Sequence, residues 1–300
     1  MSPKVSIIIP TFNRKQVLQD TIDKLVVQDY PDYEIIIVSQ KYEVQLKTHP
    51  KVKHYHLPKA NLPKARNFGI SKATGEFFLF LDDDIIPSAH LIEHHVHSIT
   101  KGYGAVVGKV IDDRGPGTRE KLIQYNAKTG EYITDFGRDK EEESLSLAGG
   151  NSSYQREIFE KLQFDGFFNL TAHWEEVDLA FRMRKMGYKI LFQPKAEIIH
   201  LKAPMGGCRN MSVFTYHYSQ FKNSTLMYLK HSQLIHIPYF LIFQKNLLEY
   251  ISRKKEGGHS KLIIASFLLG ISSGALFYLF ELLFFRSRLS PTSHHEHSAK

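Results

Sequence analysis

The feature that most limits this chain's fold is the run Phe77-Phe78-Leu79-Phe80-Leu81-Asp82-Asp83-Asp84, in which five apolar residues end abruptly in three carboxylates. An uninterrupted apolar run of that length predicts a buried strand. The acids then stand at the strand's carboxyl end, where open α/β sheets gather their ligands. Adjacent negative charges repel, so a fold tolerates them only beside compensating positive charge. A hard divalent cation carrying a substrate's phosphates supplies it.

Around that run, short β-branched segments alternate with helical ones. Residues 5–9, 34–38, 52–56, 77–81 and 105–110 read as strands, and 15–28, 63–73 and 88–100 as helices. Such alternation predicts an α/β fold, a Rossmann-like, mostly parallel sheet flanked by helices. Residues 112–143 are polar and rich in glycine and charge, and read as an irregular, mobile excursion. Strands and helices resume at 157–162, 176–186, 189–192 and 197–200.

Composition bounds the partners. With 300 residues, 42% hydrophobic and 23% charged, the chain has room for one large domain and an appendage. A formal charge of +8 points to anionic partners. The sequence holds no aromatic-rich RNA motif, zinc-ligand spacing or basic recognition helix. That favours a phosphorylated substrate and membrane lipids over nucleic acid. The single cysteine, Cys208, excludes an internal disulfide and fits a reducing compartment. Residues 5–9 are too short an apolar run for a signal peptide, and Pro10 closes it, so the catalytic part is expected to stay in the cytoplasm.

Residues 262–280 contain no charged side chain, a length that spans a bilayer as a helix. Arg253, Lys254, Lys255 and Lys261 precede it, and Arg286 and Arg288 follow. The excess of basic residues before it places the catalytic part on the cytoplasmic face. A buried core helix and an in-plane or re-entrant helix are the alternatives. Ser266, Gly270 and Gly274 recur every fourth residue, as in a helix-packing face.

Four clusters carry chemistry. Pro10-Thr11-Phe12-Asn13-Arg14 forms a polar turn after the first strand, suited to gripping a nucleotide. Lys64 and Arg66 stand near a helix start, where amides and a guanidinium suit a diphosphate. The acid triplet is the third; a helix N-cap before Ser88 explains at most one of its acids. In the fourth, Trp174-Glu175-Glu176-Val177-Asp178, Glu176 either starts a helix by dipole logic or presents a base to an acceptor hydroxyl. Asp178 and Arg182 are spaced to pair along that helix. His200, at a strand end, offers a third protein ligand to a metal held by one or two carboxylates.

Taken in order, these residues resemble glycosyltransferase family 2, whose nucleotide-sugar-binding fold is called GT-A. The resemblance runs over roughly residues 4–202, through Ala65-Arg66-Asn67-x-Gly69, Gly75-Glu76, Leu81-Asp82-Asp83-Asp84, Trp174-Glu175-Glu176-x-Asp178-Leu179 and Gly187-Tyr188. It implies an inverting transfer from a nucleoside-diphosphate sugar, assisted by Mg²⁺ or Mn²⁺. Asp84 then binds the metal and His200 completes its site. Asp82 faces the ribose or the metal's waters, and Asp83 is a positional or ribose-facing neighbour. Arg66 approaches the nucleotide or diphosphate, beside Pro10, Thr11, Asn13, Arg14 and Ser39. Arg209, after Gly206-Gly207-Cys208, belongs to a loop able to close over the diphosphate. Family members commonly carry Glu-Asp where this chain has Glu175-Glu176, which puts Glu176 in the base position and leaves Glu175 as the alternative.

Two departures narrow the resemblance. Val38-Ser39-Gln40 stands where relatives commonly have a base-contacting Asp, so the nucleotide's base does not carry over. The Gln-x-x-Arg-Trp motif of processive synthases is absent, which favours transfer of a single sugar. The expected division is a GT-A catalytic domain at 1–205, a helical basic extension at 206–260, a membrane-associated segment at 261–288 and a disordered tail at 289–300. The expected acceptor is a saccharide or lipid-linked saccharide, with self-association left open. Two rivals stand beside this: a membrane-tethered nucleotide-sugar-binding protein without turnover, and an Asp-x-Asp phosphohydrolase. The latter usually carries Thr or Val after the second acid and one residue, as in Asp-x-Asp-x-Thr, whereas here Asp84 is followed by Ile85-Ile86 and no later Gly-Asp pair supplies the expected metal acids.

Overall fold

In the computed structural model, which describes residues 2–112, 123–171, 173–207, 211–254 and 260–284, the apolar run folds as β4 (Phe77–Leu81), buried beyond its first residue. It runs parallel to β1 (Val5–Thr11) on one side and antiparallel to β10 (Asn151–Gln155) on the other. Outward from β1 lie β2 (Tyr33–Gln40) and β3 (Val52–Leu57), both parallel. Outward from β10 come β6 (Ala105–Ile111), β11 (Ile190–His200) and the short β5 (Ile85–Pro87), with β9 (Glu142–Glu143) also on β11. The expected α/β sheet is therefore present.

Strand geometry divides the side chains between two cores, because neighbours on a strand point to opposite faces. Ile8, Ile36, Phe78 and Phe80 join Ala65 of α2 (Leu62–Lys72) and Leu179 and Met183 of α5 (Glu175–Lys185). Ile7, Ile9, Ile35, Leu79 and Leu81 join Leu18 and Ile22 of α1 (Lys15–Leu25) and Leu91 and Ile92 of α3 (Leu91–Ile99). Strands covered on both faces commonly carry near-continuous apolar sequence, and β1, β2 and β4 do.

Three expectations change. β10 went unread because Asn151-Ser152-Ser153-Tyr154-Gln155 is mostly polar. It is buried because its polar groups are satisfied: Asn151 Nδ2 donates to the carbonyls of Lys109 (3.0 Å) and Ala196 (2.9 Å), and His95 bonds Ser153 and Asn151. The two strands expected at 189–192 and 197–200 are one, β11, with a register shift between Gln193 and Glu197 around Pro194. The irregular excursion contains, among its described residues, a hairpin of β7 (Ile123–Asn126) and β8 (Glu131–Thr134). Tertiary contact fixes it: the Tyr125 and Ser232 hydroxyls lie 2.8 Å apart, and Tyr228 donates to the Lys128 carbonyl. The short α4 (Ile158–Lys161) follows β10.

Beyond the sheet lie α6 (Val213–His231), α7 (Ile237–Lys254) and α8 (Ser260–Phe284). The Lys261–Leu282 window of α8 is long and apolar enough to cross a membrane, with a mean hydropathy of 2.1 and only 22% of it buried. The stripe of small residues seats α8 on α6. A Cβ on Gly270 would stand 2.8 Å from Phe221 Cβ, and one on Gly274 would stand 2.6 Å from the Lys222 carbonyl oxygen. Ser266 donates to the Phe214 carbonyl, and Phe277 meets Phe167 at 5.2 Å between ring centroids. The opposite side, including Leu268 and Leu276, is exposed.

Overpacking of that contact has a measurable cost. Gly274→Val should destabilise the protein by about 1–3 kcal/mol, read as a lower melting temperature. Leu276→Ser, on the exposed side, should stay within about 0.5 kcal/mol. Equal losses would mean that the α6–α8 contact contributes nothing particular.

Candidate active site

The strand order reverses between β1 and β4, and both end at the same edge of the sheet, opening a crevice there. Thr11 ends β1, and the acid triplet follows β4. The alternation within β4 carries on into the acids. Asp83 turns to the α1 side, where Arg14 and Thr11 meet it, while Asp82 lies against Gly150 on the side of Arg66.

Arg14, at the start of α1, holds the triplet together. Its Nη1 lies 2.7 Å from Asp83 Oδ1 and 3.1 Å from Asp84 Oδ2. Its other nitrogens donate to the carbonyls of Met205, Ala203 and Gly206, which fastens the chain after β11 over the crevice. Burial pushes the Asp83 carboxyl up to about 6, against Arg14 and the Thr11 hydroxyl. Burial also opposes the Asp84 charge, but His200, Arg14 and the Ala203 amide outweigh it and hold Asp84 below the usual carboxylate range.

His200, ending β11, brings Nε2 to 3.1 Å from Asp84 Oδ1 and 3.8 Å from Asp82 Oδ2. One ligand atom from each of Asp82, Asp84 and His200 lies within 4.8 Å of the others. Two carboxylates and an imidazole match the donor chemistry of a divalent cation such as Mn²⁺. Asp82 is 41% exposed, so the cluster opens towards solvent, where phosphate oxygens can complete a coordination shell.

Arg66 is buried and commits its charge within the protein. It ion-pairs with Glu175 and donates to the Gly149 carbonyl at 2.9 Å. Burial opposes its charge, but Glu175, Glu176 and Asp82 together raise its pKa further. A Cβ on Gly150 would stand 2.1 Å from Asp82 Oδ2 and would displace that carboxylate. Trp174 precedes α5 in a left-handed conformation (φ 86°), sterically unfavourable for a side chain of its size. Glu175 and Glu176 therefore both fall in the first turn of α5, where the helix dipole favours negative charge. Glu176 Oε2 is buried and has no hydrogen-bond partner among the described residues. Asp178, one turn on, pairs with Arg182 as its spacing predicts, and also with Lys230 and His231 of α6.

The structure thus gathers Thr11, Arg14, Asp82, Asp83, Asp84 and His200 at one place, and joins Glu175 and Arg66 in another. Pro10 is within β1 and Asn13 takes a left-handed turn (φ 54°) after it. Ser39 is fully buried, its hydroxyl 2.9 Å from His54 Nε2 and 3.2 Å from His56 Nδ1. Arg209 lies outside the described residues, whereas Gly207 donates to the Phe12 carbonyl. The organising role of Arg14 does not follow from the sequence reading, although a cation in the turn after the neighbouring strand signals where the triplet finds compensation.

Residues 6–163, more than half of the 300, match the family model described as glycosyl transferase family 2. The chain is 25% identical over 223 residues to O-antigen biosynthesis protein RfbC of Myxococcus xanthus, covering 66% of this chain and 17% of that protein. It is 29% identical over 126 residues to the GalNAc(5)-diNAcBac-PP-undecaprenol beta-1,3-glucosyltransferase of Campylobacter jejuni, covering 37% of this chain and 40% of the relative. The chain therefore spans less than half the length of either relative. Among solved structures, GalNAc-T7 with UDP, GalNAc and Mn²⁺ superposes with a TM-score of 0.61 at 16% identity, covering 96% of this chain and 58% of that one. That likeness concerns the fold. Because the family match contains the β1 turn, Arg66 and the acid triplet, the chain belongs to glycosyl transferase family 2.

Proposed function

We propose that the chain transfers one sugar, with inversion, from a nucleoside-diphosphate sugar to a hydroxyl of a lipid-linked saccharide at the cytoplasmic face of a membrane. The observation that carries this reading is a two-carboxylate, one-imidazole cluster together with Glu176, whose Oε2 is buried without a hydrogen-bond partner among the described residues. Asp82 of the cluster and Glu176 both act electrostatically on Arg66. Asp84, His200 and Asp82 would hold Mg²⁺ or Mn²⁺, which offsets the charge developing on the leaving diphosphate. The Mn²⁺ in the GalNAc-T7 structure supports a divalent ion.

Glu176 accepts the acceptor hydroxyl's proton as its oxygen bonds to the anomeric carbon. The bond from that carbon to the phosphate oxygen breaks, and its electron pair leaves with the nucleoside diphosphate. Attack from the opposite face inverts the anomeric centre. Glu175 serves differently: its pairing with Arg66 fixes the start of α5 and so aims Glu176. On this reading residues 1–205 perform transfer, while 206–260 and 261–288 seat the enzyme on the membrane. The apolar α8 window and its basic flanks support that seating, and the PP-undecaprenol in one relative's name supports a lipid-linked acceptor.

Release of nucleoside diphosphate from a panel of nucleotide sugars, with and without Mn²⁺, tests the reading. Asp84→Ala should keep its fold and lose metal-dependent turnover by roughly 100-fold or more. Full turnover in that variant would remove Asp84 from the metal site.

The two glutamates separate by a second measurement. Glu176→Gln should retain donor binding and melting temperature while kcat falls about 10²–10⁴-fold. Glu175→Gln should instead lower stability, by up to about 3–5 kcal/mol, because it leaves the Arg66 charge buried without its partner. A folded Glu175→Gln without turnover, beside an active Glu176→Gln, would reverse the assignment.

A further inference from the structure

A second cavity stands behind the base. It has a volume of about 530 Å³, is partly open to solvent, and is lined by Tyr132 of β8, His173 and Trp174 before α5, and residues of α6 and α7. The rings of Tyr132 and Trp174 meet at 5.3 Å between centroids and form one wall. Gln220 of α6 and Phe243 and Gln244 of α7 contribute to the others. Trp174 immediately precedes the Glu175-Glu176 pair, and the charge of Glu176 bears on both His173 and Tyr132. Trp174, two residues before Glu176, thus lines this cavity, while Glu176 also acts electrostatically on Arg66.

The chemistry of the lining selects its occupant. Among the described residues no lysine or arginine lines the cavity and one carboxylate, Glu131, does, so a diphosphate is repelled there and the donor is a poor fit. Aromatic faces beside amide and imidazole groups suit a neutral sugar ring, with its apolar C–H face on an aromatic ring and its hydroxyls on polar side chains. One polar group has an unmet need. Gln244 is 1% exposed, and its Oε1 has no hydrogen-bond partner. A buried carbonyl oxygen left unpaired is costly, and a sugar hydroxyl can donate to it. The walls from α6 and α7 lie outside residues 6–163, the part that matches the family model. Leu247 and Ile251 of α7 also line the cavity, while Leu241 and Ile242 of the same helix are exposed and apolar.

We propose that this cavity is the acceptor subsite, and that it holds the neutral terminal sugar of a saccharide carried on an apolar chain. The inference rests on the transfer reading above, and its test is independent of turnover. The only tryptophan in the chain is Trp174, so its fluorescence reports occupancy directly. The full chain is titrated with decyl glycosides of glucose, galactose and N-acetylglucosamine, with the free sugars, and with decanol. At least one glycoside should change Trp174 emission saturably and more tightly than its free sugar, while decanol alone should not.

Gln244→Leu should weaken that binding about tenfold, the loss expected when one buried hydrogen bond is removed. Its melting temperature should hold or rise, because an unpaired polar group has been replaced by an apolar one of similar volume. Silence of Trp174 towards every glycoside, or a response to decanol equal to that for the glycosides, would overturn the proposal. So would unaltered binding in Gln244→Leu, or a lower melting temperature in that variant. Saturable glycoside binding in a protein that hydrolyses no nucleotide sugar would instead sink the transfer reading and leave the cavity a saccharide site.

Discussion

The structure depends first on how three adjacent carboxylates are kept together at the end of β4. Arg14 reaches two of them, while His200 approaches Asp84 from the far side of the sheet. This arrangement needs β1 beside β4, so that the residue opening α1 faces the triplet. It also needs β11 two strands beyond β10, so that its end returns to the same edge. Charge compensation and sheet topology are thus one requirement. The carbonyls that Arg14 gathers after β11, with the amides given to Asp84 by Leu201 and Ala203, close the crevice with the same residues.

From that point a series of buried ion pairs leads outward. Arg66 links α2 to Glu175 at the start of α5. Asp178 links α5 to Lys230 and His231 on α6, and Lys230 also reaches Glu281 on α8. Each pair costs desolvation, and none is strong evidence of stability by itself. Their effect is geometric. They fix the carboxylate pair of α5 relative to both the acid cluster and the apolar helices. The apolar helix α8 and the acid cluster are thereby connected through α5 and α6.

Much of this was legible from residue order. The apolar runs became strands at their expected places because strands covered on both faces are commonly near-continuous apolar runs. Asp82, Asp84 and His200 were expected together and are together. The misses share a cause. β10 is a central strand with a polar sequence, tolerated only because His95, Lys109 and Ala196, distant in sequence, satisfy Asn151 and Ser153. The hairpin of β7 and β8 is fixed by Tyr228 and Ser232, about a hundred residues on. Periodicity carries no information about such partners.

By itself, the sequence determined the α/β class, the edge where the acids stand, the apolar helix and the small-residue stripe along it, since each follows from local composition and spacing. Only the tertiary structure decided what each charge faces. It gave Arg14 to Asp83 and Asp84, and Arg66 to Glu175 rather than to open solvent. It turned the stripe of α8 onto α6 and set Trp174 against Tyr132 over a cavity. The reason is physical: a side chain's type fixes what it can bond, but burial and proximity across the chain fix which bonds are made.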